Sequence, residues 1–170
     1  MADATLTASQ PALAAIKLAW WRDALERLDV APAPAEPRLR AAAAELLPRG
    51  IAGHALAGLE EGWAALLEPA VDYTRLDLRG ERLFALAAQL LGQAPPVPEA
   101  GRLWAAVDLA RRTGRPLPKV VALPAAPRGL RPLTMLSAVA ARDSRRGVPL
   151  ESEATSARSW TILRHRFTGR

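Results

Sequence analysis

The sequence predicts an all-α protein, a single-domain bundle of about seven helices over residues 1–170. Three observations carry that reading. The 170 residues include 37 Ala and 27 Leu, and with Arg and Glu these strong helix formers dominate the composition. Val, Ile and Thr are too scarce for a large sheet. Apolar residues recur at three- and four-residue steps rather than in alternation.

Ser9-Gln10-Pro11 opens the first helix, with Ser9 as the expected N-cap and Pro11 near the first turn. Leu13, Ile16, Trp20, Ala24, Leu25 and Leu28 form its expected inward face. A Pro/Ala linker ends at Pro34, and Pro37 starts a second helix that Pro48-Arg49-Gly50 stops. A third helix is expected over residues 52–67, with Leu56, Leu59, Trp63, Leu66 and Leu67 inward and Pro69 as its breaker. Gly53, Gly58 and Gly62 lie within it, each costing about 1 kcal/mol against Ala. The fourth runs over residues 74–91, with Leu76, Leu83, Phe84, Ala87 and Leu90 or Leu91 inward and Gly92 at its C-terminal stop. The fifth covers residues 99–113, with Leu103, Trp104, Val107 and Ala110 inward, ended by Gly114. Residues 115–131 are Pro-rich and predict an extended loop held on the surface. A sixth helix follows over residues 133–145, its last turn rich in Arg. Thr155 or Ser156 caps the seventh, residues 157–167, with Trp160, Leu163 and Phe167 expected inward.

Composition also excludes chemistry. With no Cys, the chain has no disulfide, thiol nucleophile or Cys-based zinc site. His54 and His165 are far apart, and neither has a Ser or Asp at catalytic spacing. Neither a Walker motif nor GxGxxG occurs. The first ten residues lack the basic and apolar regions of a signal peptide, and no apolar run approaches the roughly 18 residues of a membrane span. A soluble, cytoplasmic protein is expected, at most peripheral to the inner membrane.

Charge is unevenly placed. Residues 1–85 carry 9 basic and 12 acidic groups, whereas residues 86–170 carry 14 and 5. A basic half suits a phosphate-rich partner, a diphosphate or an anionic membrane surface. High Arg usage, 21 of the 23 basic residues, is equally what GC-rich coding would produce. Arg142, Arg145 and Arg146 would make one cationic surface with Arg164, Arg166 and Arg170 if the last two helices are neighbours. A nucleic-acid partner is not expected, because Trp160 and Phe167 are spaced as core residues rather than as stacking platforms.

The run Lys17-Leu-Ala-Trp20-Trp21-Arg22-Asp23-Ala-Leu25 resembles the paired-Trp helix of the squalene/phytoene synthase family. Arg82 to Gly92, the Arg131-Pro-Leu133 helix and Leu163 to Arg170 are similar to later segments of short bacterial members. The resemblance implies a truncated isoprenoid-synthase fold. Family enzymes join two prenyl diphosphates head to head, with magnesium held by two aspartate-rich motifs. Such motifs are needed because a diphosphate leaving group requires hard cations bridging carboxylate and phosphate oxygens.

This chain departs from that pattern at both motifs. Only ten residues precede the paired-Trp helix, and Asp3 is their sole acid. Asp108 matches the leading aspartate of the second motif, but the position one turn later is Arg112. The resemblance therefore implies a catalytically degenerate member, without a cofactor, that binds an isoprenoid or lipid or acts as an assembly or interaction factor. Its candidate ligand-binding residues are Trp20, Trp21, Arg22, Arg111, Arg112 and Arg115, with Asp108 as the catalytic candidate. A protein partner or self-association is expected, since a truncated helix ring leaves apolar surface open. Two alternatives stay open: an active magnesium-dependent prenyl diphosphate synthase, and a helical protein-interaction module.

Other carboxylate pairs have simpler readings. Asp77 and Glu81 sit among Arg75, Arg79 and Arg82 as a salt-bridged face, and Asp23 and Glu26 lie on the outer side of the first helix. Glu60 and Glu61, being adjacent, point to different sides of a helix.

Overall fold

The computed structural model describes residues 1, 10–68, 70–120 and 122–170. Among them more than half are helical and none is in a strand. The expected N-cap Ser9, together with Asp3 and the breaker Pro69, lies outside the described residues. The chain forms two compact units, Met1–Arg79 and Gly80–Arg170.

The first unit holds α1 (Pro11–Arg27), α2 (Pro37–Glu45), α3 (Gly53–Ala57) and α4 (Glu60–Ala64), with 3-10 turns at Leu47–Arg49 and Ala65–Leu67. Pro37 occupies the first turn of α2, and the Glu36 carboxylate accepts the Leu39 N–H at 2.8 Å. Leu25 of α1 and Leu28 just after it pack with Leu39 of α2 and Ala57 of α3. Asp29 closes the start of α3, accepting the His54 N–H at 2.9 Å and that of Gly53. Those two backbone donors hold the Asp29 carboxyl below its usual range, with the His54 imidazole adding to them.

Two sequence expectations fail in this unit. The third helix is broken into α3, α4 and a 3-10 turn rather than running continuously from 52 to 67. Its glycines weaken the helix, and Gly53 and Gly62 are held by packing. A Cβ on Gly53 would strike the Leu25 carbonyl of α1, and one on Gly62 would lie 2.5 Å from the Arg79 Cβ. The second failure is the rotation of α1. Ala14, Leu18, Ala24, Leu25 and Leu28 are buried, while Leu13, Ile16 and Trp20 are exposed. Both stripes are apolar, so their spacing could not say which one faces inward.

Helix α5 (Tyr73–Leu90) crosses the division between the units. The second unit continues with α6 (Pro98–Thr113), a 3-10 turn at Arg128–Leu130, α7 (Arg131–Arg146) and α8 (Ser156–Thr168). Gly92 and Gly114 end their helices at φ 65° and 69°, as a C-terminal glycine should. Phe84 and Ala88 pack with Ala100, Leu130 and Leu133, and the rings of Phe84 and Trp104 lie 5.8 Å apart. Gly80 and Gly101 meet backbone to backbone where α5 crosses α6. The Pro-rich segment lies on the surface as expected, with Leu117, Val120 and Leu123 packed onto the core of α6 and α7.

The outer helix corrects a third expectation. Trp160, Leu163 and Phe167 point outward, at 64%, 47% and 72% exposure. The inward positions belong to Arg158 and His165. Arg158 pairs with the buried Asp143 of α7, and His165 bonds Thr134 of α7 at 2.8 Å. Polar partners, not apolar side chains, set the rotation of α8.

Candidate functional site

The expected site residues fall into both units. In the first, the Trp20 and Trp21 rings stand edge to face, 5.2 Å apart. Trp21 is half-buried against the core, and Trp20 is exposed. Arg22 lies 3.7 Å from both Asp23 and the buried Glu60. Asp108, Arg111, Arg112 and Arg115 belong to the second unit. Both carboxylate oxygens of Asp108 accept from Arg112 Nε at 3.0 Å. The one-turn spacing thus makes an ion pair. A magnesium ion does not fit there, since the guanidinium occupies the position where a second carboxylate would stand. Among the described residues no three His, Asp or Glu side chains converge as metal ligands. Arg115 opens the extended segment after α6.

Arg111 is built into a buried network. It donates to Asp143 at 2.9 Å and to the Glu151 carbonyl at 3.0 Å. The same Asp143 oxygen accepts from Arg158 of α8, while its other oxygen lies 3.6 Å from Arg142. The Glu151 carboxylate pairs with Arg142 at 2.6 Å and Arg146 at 3.4 Å. Helices α6, α7 and α8 are thereby tied through one carboxylate. The Arg-rich end of α7 reads in sequence as a response to the helix dipole, and nothing in its spacing marks Asp143 as the hub.

A cavity of about 740 Å³ opens beside this network, between α7, α8 and the segments that precede α6 and α7. Val97, Ala100, Leu123, Leu130, Ala138 and Ala141 supply apolar walls. Arg145, Arg164 and Arg170 line it as well, and no Asp or Glu does. Among the described residues no carboxylate lies within ion-pair distance of Arg145 or Arg164. Residues 126–131 and the end of α8 hold each other in place. Ala126 N–H donates to the Gly169 carbonyl at 2.9 Å, and Arg131 donates to the Phe167 carbonyl at 2.6 Å.

His165 is buried in the cavity wall. Thr134 Oγ1 donates to the Leu130 carbonyl at 3.1 Å, so it accepts from His165 Nε2. Its Nδ1 is then an unprotonated acceptor, buried and without a partner. Burial lowers the His165 pKa, and the nearby Arg131 and Arg164 lower it further, so the imidazole is neutral at pH 7.

The structure makes α7 and α8 neighbours and divides the six arginines that would form a joint cationic surface. Arg142 and Arg146 are paired with Glu151, whereas Arg145, Arg164 and Arg170 reach the cavity. Compared with known protein families, curated sequences and solved structures, the chain finds no match in any of the three.

Proposed function

We propose that the Gly80–Arg170 unit binds an anionic amphiphile, a phosphorylated isoprenoid or lipid, and does not turn it over. The observation that carries this reading is the cavity, which combines apolar walls with Arg145 and Arg164 and is lined by no Asp or Glu side chain. Its volume of about 740 Å³ is in the range that encloses small-molecule ligands. The apolar tail would fill the walls beside Ala138 and Leu130. The phosphate would meet the guanidiniums, whose planar forks match its oxygens. Two features favour an isoprenoid over other tails and binding over turnover. The Trp20-Trp21-Arg22-Asp23 run resembles the squalene/phytoene synthase helix, and Asp108 is neutralised by Arg112.

Calorimetric titration with farnesyl diphosphate and with lysophosphatidate separates the two sources of such a ligand. Arg145→Gln with Arg164→Gln should weaken the bound species by roughly a hundredfold or more, because each lost charge-assisted contact contributes about 1.5–3 kcal/mol. Wild-type binding should also weaken as salt rises. Unchanged affinity in the double variant would remove the headgroup assignment. Magnesium-dependent release of diphosphate by this chain would restore the synthase alternative.

A further inference from the structure

We propose that the outward face of α8 docks the protein on the surface of an anionic lipid bilayer. Trp160, Leu163 and Phe167 follow i, i+3, i+7 spacing and form one exposed apolar stripe opposite His165 and Arg158. Ile162 and Leu136 are exposed beside it. A shallow groove lined by Pro132, Met135, Ile162 and Leu163 extends the apolar surface onto α7. Arg164 flanks the stripe on one side and Arg166 on the other, and residues 155–170 contain no acidic residue.

That arrangement suits a bilayer better than a protein groove. Long cationic side chains on the flanks can reach lipid phosphates while Leu163 and Phe167 enter the acyl boundary and Trp160 sits at the headgroup level. A protein partner would have to supply carboxylates on both sides of the stripe. Nucleic acid would track the arginines but leave Ile162, Leu163, Met135 and Leu136 without base faces to stack on. Among the described residues no helix is long and apolar enough to cross a membrane, so the contact is with the surface. The docking face is already in place. Thr155 caps the start of α8, and Arg131 caps the carbonyls of Arg166 and Phe167 at its end. Thr161, Arg164 and His165 of the same helix line the cavity. The docking surface shares Arg164 with the cavity and otherwise rests on its own observations, the exposed apolar stripe and Arg166.

The test is sedimentation of the full chain with vesicles of phosphatidylcholine, alone or mixed with phosphatidylglycerol. The wild type should pellet with the mixed vesicles, not with phosphatidylcholine alone, and should be released by high salt. Trp160→Ala with Phe167→Ala should weaken binding by at least about tenfold, given the apolar area withdrawn. Arg166→Gln should weaken it about fivefold. Both variants alter exposed side chains, and circular dichroism checks that their helices are intact. Ala138→Phe, which fills the cavity, should still bind vesicles, so failure of the cavity reading and of this one are told apart. Equal binding by the Trp160/Phe167 variant overturns the proposal, as does equal binding to phosphatidylcholine alone. So does a wild type that ignores vesicles but forms an oligomer, or binds an oligonucleotide, through these two residues.

Discussion

Asp143→Ala is expected to destabilise the second unit by about 3–5 kcal/mol, the cost of leaving buried charge without its partner. Asp143 is buried, and Arg111, Arg142 and Arg158 converge on its two oxygens from α6, α7 and α8. Removing the carboxylate leaves Arg111 and Arg158 facing each other without it, while Arg142 keeps Glu151. Repulsion then adds to the lost hydrogen bonds. Asp108→Ala removes another Asp–Arg pair from the same unit, but Arg112 is exposed and the pair is an ordinary one-turn contact. Its loss should cost less than about 1 kcal/mol. Urea unfolding of the two variants checks the contrast. Equal midpoints would show that Asp143 is not the hub.

Gly101→Leu is expected to cost about 3 kcal/mol or more, at the upper end for overpacking. A Cβ at Gly101 would collide with the Gly80 carbonyl of α5, and one at Gly80 would collide with the Gly101 carbonyl of α6. Backbone cannot swing aside as a side chain can, so the two helices must separate. The separation would also loosen Phe84 and Ala88 from Ala100. Gly92→Ala provides the comparison. Open space surrounds Gly92, and only its φ of 65° opposes a side chain, so the cost should be about 1–2 kcal/mol. Thermal unfolding should therefore rank Gly101→Leu well below Gly92→Ala.

The helices were legible because their ends carry local chemistry. Pro11 and Pro37 start helices, Gly92 and Gly114 stop them, and Thr155 caps the last. Rotations were not legible where more than one face could serve. Leu13, Ile16 and Trp20 compete with Ala14, Leu18 and Leu25 on α1, and only packing chooses between them. On α8 the apolar spacing misled outright, because Arg158 and His165 have buried partners 15 and 31 residues away in the chain. Such pairings leave no periodic trace. The site divides the same way. The Asp108–Arg112 pair follows from spacing alone, and the cationic character of α7 and α8 was visible as composition. Which arginines Glu151 would neutralise, and which would reach a cavity walled by the Pro-rich segment, depends on tertiary contacts.

One cavity should take an apolar tail and an anionic head together. The most direct measurement compares calorimetric binding of farnesyl diphosphate, farnesol and inorganic diphosphate to the full chain and to Ala138→Phe. Farnesyl diphosphate should bind at least about tenfold more tightly than either fragment, since the tail and head each contribute more than about 1.4 kcal/mol. Ala138→Phe should remove this advantage while leaving the helices intact. Inorganic diphosphate binding as tightly as farnesyl diphosphate, or Ala138→Phe binding as tightly as wild type, would contradict it.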